Sequence, residues 1–300
     1  MKTISSMTPS RQGFTIVEVL VSSFLTLIIL GMLFSVLIGT MNAWEGATSK
    51  LSANSDSQLT LDLLKSDLTG LVARQTQDNQ EWLFSGPYHI TSGGDFAWGV
   101  GPNSELTNSC IAFFSPAVDR DMNDPGSIVA IMYRTEYMDP LDPLTGNFPI
   151  FGLYKSMEDP QVTFDNVFRF PPNNELMGSG GDGYWGSQGS LPLDVFPEGF
   201  MMQHVVRFSV SWLVREDPAP ADLVRYNERN TVRLSNILEI NGASVPGAKI
   251  EAAEVTITTI SDEGMQRFRF FEGSGNAAGQ LSRIVSEFGK TQTLRVPINY

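Results

Sequence analysis

From Phe14 to about Ile38 the chain is almost continuously apolar: Phe, Ile, Val, Leu and Met are relieved only by Ser, Thr and Gly, and Glu18 is the one ionisable side chain before Met41. As a helix, a run of roughly 25 such residues is long enough to cross a hydrocarbon layer ~30 Å thick. After Trp44 the pattern becomes amphipathic. Leu61, Leu64, Leu68, Leu71 and Val72 recur at spacings of three and four, while the period places Asp62, Lys65 and Asp67 away from that face. No proline occurs between Phe14 and Pro87. A single helix to about Arg74 is therefore expected, roughly 90 Å long at 1.5 Å per residue, with weak points at Gly39, Gly46 and the Ser/Asn-rich piece from Ser52 to Ser57.

From Glu81 the texture changes to short runs rich in β-branched and aromatic residues, separated by Gly, Pro, Asn and Asp. Strands are expected at Cys110–Phe114, Ser127–Tyr137, Ile150–Lys155, His204–Val214, Ile237–Ile240, Ile250–Ile260 and Thr293–Ile298, with a short helix over Gln280–Phe288. Val206, Phe208, Val210, Trp212 and Val214 alternate with Arg207, Ser209 and Ser211, the mark of an antiparallel strand buried on one face. The fold class is α+β: a long N-terminal helix, first transmembrane and then amphipathic, packed on an antiparallel sheet. The expected divisions are a leader at 1–13, a membrane half at 14–41, an amphipathic half at 42–80 and a β-rich globular part at 81–300. Insertions fall around 138–200, where Pro140–Pro149 and Pro171–Gly199 are rich in Pro, Gly, Asn and Asp.

Charge then changes the picture at the N-terminus. Lys2 and Arg11 precede the apolar run, and Glu45 and Lys50 follow it. The positive-inside bias places the N-terminus in the cytoplasm and the bulk of the chain outside it. A carboxylate inside a spanning helix costs about 2.5–3.5 kcal/mol on insertion scales, so Glu18 calls for a partner. Cutting the chain between Gly13 and Phe14 would create one, the α-ammonium of Phe14. Paired between two staggered helices, ammonium and carboxylate would fix the stagger, which makes Glu18 an assembly device.

Gly13-Phe14-Thr15-Ile16-Val17-Glu18 resembles the type IV prepilin signal of pilins and type II secretion pseudopilins. That resemblance implies cleavage after Gly13 by a prepilin peptidase, N-methylation of Phe14, and pairing of Glu18 with the N-terminus of a neighbouring subunit. It also implies a pilin-like fold and, as partners, other pilins or pseudopilins and an inner-membrane assembly platform. The bacterial inner membrane, with the globular part periplasmic, would be its location until it enters a filament. The strands at His204–Arg215 and Lys249–Ser261 are similar in order to those of J-type pseudopilins. A PilW-like minor pilin and a large cassette-type prepilin-like protein of the Verru-Chthon kind fit as well. Within the family the subunit at the extreme tip typically lacks the carboxylate that Glu18 supplies here, and the length of the globular part argues against a major subunit.

An ordinary secretory signal would end in a small-x-small cleavage site, and Leu37–Ala43 fits that poorly. The net charge is −13, and loss of Lys2 and Arg11 with a leader would take it to −15, a surface that argues against nucleic acid as a partner. Cys110 is the only cysteine; it lies in a predicted strand and reads as a buried structural residue.

Signs of catalysis are few. There are two histidines, His89 and His204, and no nucleophile elbow, phosphate loop or His-Glu-x-x-His. Gly178-Ser179-Gly180-Gly181-Asp182-Gly183 spells a dinucleotide fingerprint without the strand and helix that it needs. Asp119, Asp121 and Asn123 alternate as calcium ligands do, yet Asp124 stands where an EF-hand has Gly and Ala130 where it has Glu. The acidic turn is the simpler reading, with calcium a weak candidate and no other cofactor expected. Two function classes follow: a filament subunit that works by assembly, and a membrane-anchored periplasmic binding module or enzyme that uses the signal only as an anchor.

Overall fold

The computed structural model describes residues 15–74, 80–88, 91–92, 96–97, 108–117, 127–141, 148–168, 176, 199–216, 223–273 and 277–298. It forms two compact units that meet between Leu51 and Ser52. A single helix, α1 (Ile16–Thr69), runs through both. In the first unit every described side chain of α1 is exposed.

The second unit holds the rest of α1 and two antiparallel sheets. In chain order its strands are β1 (Leu83–Tyr88), the small hairpin β2 (Thr91–Ser92) and β3 (Phe96–Ala97), β4 (Asn108–Pro116), β5 (Ile128–Met138) and β6 (Ile150–Met157). After a short helix, α2 (Pro160–Val162), come β7 (Phe200–Gln203), β8 (Val205–Arg215), β9 (Val224–Tyr226), β10 (Val232–Leu234), β11 (Leu238–Ile240), β12 (Ala243–Val245) and β13 (Lys249–Ile260). Two helices, α3 (Asp262–Gly273) and α4 (Ala277–Phe288), then lead into β14 (Gly289–Pro297). One sheet has eight strands in the order β12-β11-β10-β1-β4-β5-β6-β7, the other four in the order β14-β13-β8-β9.

The amphipathic pattern of α1 is met by the main core. Leu61, Leu64, Leu68 and Leu71 are buried with Phe113, Ile131, Tyr133 and Leu153 of the large sheet and with Phe208, Val210, Trp212, Val255 and Ile257 of the small one. The alternation read in β8 thus has its apolar side in this core. Asp67 departs from expectation. Three residues after Leu64 and four before Leu71, it borders the leucine stripe instead of facing away from it, and its carboxylate turns to the sheet, receives the Tyr133 hydroxyl and pairs with Lys155 at 2.6 Å. The helix stops five residues before Arg74, at Thr69. Gly70 follows, where a Cβ would lie 2.9 Å from Ser115 Oγ, and from there the chain bonds to the sheet, with Val72 N donating to Phe114 O at 2.9 Å.

The expected strands are present, with ends shifted by a few residues, and α4 includes the helix expected over Gln280–Phe288. β1 was not expected because it contains Gly86 and Pro87. It is nonetheless internal, pairing with β4 over Leu83–Tyr88 and with β10 over Leu83–Ser85, so that Pro87 lies against β4 alone. A second apolar cluster, with Trp82, Cys110, Phe114, Met132 and Tyr154, covers the other face of the large sheet and includes Leu176. The Leu176 amide donates to Glu81 Oε2 at 2.5 Å. Burial pushes the Cys110 thiol up to about 12, so it is not a thiolate at neutral pH.

His204, expected to begin a strand, instead lies between β7 and β8 at φ 61°, where the chain leaves the large sheet for the small one. Its carbonyl accepts from Ile260 N at 3.0 Å, and its Nδ1 is 3.3 Å from Asp262. Burial lowers the imidazole pKa below its ordinary 6.5; Asp262 opposes that shift and Arg269 adds to it. A cation disfavoured in the native state means that the unfolded chain takes up the proton first, so stability present above pH 6.5 falls as the solution is acidified. His204→Asn keeps a residue that tolerates the left-handed backbone and removes the titration. Denaturant unfolding at pH 7, 6 and 5 is expected to show the wild type losing more stability on acidification than this variant.

Candidate processing and assembly site

The chemistry-bearing end of α1 is built by four consecutive residues. Thr15 is the N-cap: its carbonyl accepts the first helical bond, from Val19 N at 3.3 Å, and its hydroxyl accepts from Glu18 N at 3.3 Å. Glu18 reaches back, its Oε2 receiving the Thr15 N–H and the Thr15 hydroxyl at 3.1 Å each. This reciprocal arrangement is a capping box, which satisfies helix-end N–H groups that have no carbonyl to bond. The sequence reading gave Glu18 only a cation as partner and missed Thr15. The signal was present, since Thr-x-x-Glu at the head of an apolar run is the pattern of such a start.

Beyond the cap, the helix is closed to polar demand along its length. The hydroxyls of Ser23, Thr26 and Thr40 donate to the carbonyls of Val19, Ser22 and Val36, each at 2.8 Å. A spanning segment must settle its polar groups internally, and these three hydroxyls do so, with Glu18 held at the end. From Ile16 to Trp44 the helix has 29 residues, all of them exposed, enough by length and composition to cross a membrane.

Comparison with known families decides what this end is. The model of the prokaryotic N-terminal methylation motif matches residues 8–34. The chain carries a type IV prepilin-like signal. In this prepilin-like chain the matched segment contains Gly13, Phe14, Thr15 and Glu18, and the signal implies contact with a prepilin peptidase and with pilin assembly machinery in general. Neither the curated proteins nor the solved structures searched contain a match to the chain, so the prepilin-like identity rests on the N-terminal segment and the helix that it forms.

Of the residues singled out from sequence, Glu18 is placed at the helix start as described. Gly13 and Phe14 lie outside the described residues, as do Asp119, Asp121 and Asn123, His89, and the Gly-rich piece from Gly178 to Gly183. Among the described residues no three His, Cys, Asp or Glu side chains gather as metal ligands. Glu136 on β5 has its carboxyl pKa raised by burial against the lowering influence of Arg134. It is engaged by Arg134 at 2.7 Å and by the Tyr88 hydroxyl, and the Arg134 guanidinium also lies over the Tyr88 ring at 5.5 Å. Such a closed pairing is how a buried charge is satisfied, and it holds β1 and β5 from one side of their sheet.

The capping box predicts a local effect. Thr15→Val keeps the shape and removes the hydroxyl, so the first turn should lose about 1 kcal/mol of protection. Hydrogen exchange of the full chain in detergent is expected to speed at the Glu18 amide in Thr15→Val and to stay near wild type in Thr15→Ser.

Proposed function

We propose that this prepilin-like chain is a minor pilin or pseudopilin subunit of a type II secretion or type IV pilus-like filament. In this reading it is cut after Gly13 by the prepilin peptidase, methylated on Phe14, and stored as a single-pass protein of the bacterial inner membrane with the unit from Ser52 onward in the periplasm. It then joins other pilins or pseudopilins through an inner-membrane assembly platform. Its work is assembly and secretion, not catalysis.

The observation that carries the reading is the matched methylation motif heading a bare apolar helix whose one carboxylate, Glu18, sits at its first turn. Such a helix is suited first to lipid and then to a filament core made of other helices, where Glu18 exchanges its Thr15 partners for the ammonium of a neighbouring Phe14. The unit from Ser52 to Tyr300 is large for a repeating array, which favours a minor position.

The test is the intact mass and N-terminal sequence of the protein isolated from its native membrane. An N-methylated Phe14 is expected, whereas an intact Met1 or a start near Ala43 would count against the prepilin pathway. In the same cells Glu18→Ala should insert normally and be depleted from sheared filaments. Equal recovery of variant and wild type would remove the assembly role given to Glu18.

A further inference from the structure

The small sheet has one shielded edge and one open edge. At the shielded edge the amides of Phe208 and Val210 on β8 donate to Asn108 Oδ1 and Ser109 Oγ. At the other, β14 is the last strand and pairs with β13 over all nine of its residues, whereas the edge strands of the large sheet, β12 and β7, have only three and four. Ile298 N donates to Glu251 O at 3.0 Å. By antiparallel alternation Lys290, Gln292, Leu294 and Val296 therefore bond to β13, and Thr291, Thr293 and Arg295 turn their N–H and C=O groups away from it. Among the described residues these outward groups have no partner. α1 lies to the core side of the strand, where Ser57 donates to Gln292 Oε1 at 2.7 Å and Val296 is in the core with Leu294 packed against it. The side chains of Thr291, Thr293 and Arg295 are exposed on the opposite side, the two threonines bonded to Thr258 and Thr256 at 2.9 Å each.

Charge selects what can pair there. β14 carries Lys290 and Arg295 and no carboxylate. Both glutamates of β13 are already engaged, Glu251 by Arg215 at 2.8 Å and Glu254, which lies opposite Arg295, by Arg225 at 2.9 Å. Arg295 has no ion-pair partner among the described residues. It is a surplus cation beside open amides in a chain of net charge −13. A second β14 would bring more cations and no anion, so a second copy is the wrong partner for this edge.

We propose that β14 receives an extended acidic segment of a different polypeptide as the next strand of the small sheet. The backbone of that segment bonds to Thr291, Thr293 and Arg295, and one of its carboxylates reaches the Arg295 guanidinium; main-chain bonds give the affinity and the charge gives the choice of partner. Being one contact with an unlike chain, it does not propagate from copy to copy. It goes beyond the filament reading and does not rest on it.

The probe is a blocked peptide of alternating threonine and glutamate, as long as β14, added to the full chain in detergent and read by residue-resolved amide exchange. The same peptide with lysine in place of glutamate is the control. Thr291, Thr293 and Arg295 are expected to exchange fast in the free chain and to slow about tenfold with the glutamate peptide only, while Gln292 and Leu294 stay slow throughout. Arg295→Glu should reverse the preference between the two peptides. Thr293→Pro removes one outward N–H and none that bonds to β13; it should abolish the slowing at Thr291 and Arg295 and leave Gln292 and Leu294 slow, the sign that the strand is still in place. In the native membrane, a photoreactive side chain placed at Thr293 should join the chain to an acidic segment of another polypeptide, and Arg295→Glu should remove that adduct. Outward amides already slow in the free chain, no slowing by the glutamate peptide, equal slowing by the lysine peptide, no adduct in the membrane, or an adduct only with a second copy would overturn the proposal. An intact Met1 in the mass measurement would overturn the filament reading and leave these results unchanged.

Discussion

Every side chain from Thr15 to Trp44 is exposed on a helix made almost wholly of Ile, Leu, Val, Phe and Met, and water is an impossible solvent for it. At ~25 cal/mol for each Å² of apolar surface, leaving those side chains in water would cost more than a domain of ordinary stability could offset. The helix therefore exists only in an apolar medium, lipid or other helices, and the rest of its chemistry follows from that constraint. The hydroxyls of Ser23, Thr26 and Thr40 bond back to their own backbone, the single carboxylate is kept at the end, and Thr15 gives it donors.

The second unit answers the opposite constraint, that of staying folded in water while carrying a length of helix as part of its core. Leu61, Leu64 and Leu68 are buried between the sheets, and Asp67 adds direction to what hydrophobic contact alone leaves loosely specified. Its pairing with Lys155 and Tyr133 leaves its own side chain only 17% exposed and that of Lys155 22%. Losing one partner of such a pair costs more than the pair itself contributes, so the contact defines the rotational setting of α1 on the strands.

Much of this was legible because it depends on period. The apolar run, the leucine stripe and the alternation in Val206–Val214 are local patterns, and each becomes the element that its spacing implies. Asp67 lies three residues after Leu64 and four before Leu71, so its place beside the stripe follows from period, while its partners Tyr133 and Lys155, on strands far off in sequence, do not. β1 is masked by Gly86 and Pro87, residues that weaken a strand pattern, and is held by its pairing with β4 and β10. The short strands β9, β10 and β12, three residues each, are fixed by their neighbours and not by their own composition. At the N-terminus the motif is plain from six residues, and the Thr15–Glu18 cap lies inside it because the same carboxylate serves both patterns.

The first half of β8 has another chain-level consequence. β9 pairs only with Trp212–Val214, and among the described residues no strand pairs on that side with the stretch before it. There Asn108 accepts from Phe208 N at 2.7 Å and Ser109 from Val210 N at 3.0 Å. A protein held on a membrane meets its copies in two dimensions, crowded and similarly oriented, where a bare strand edge would recruit another copy into an open-ended β-stack. By giving those amides side-chain partners, β4 makes this strand poor at templating aggregation.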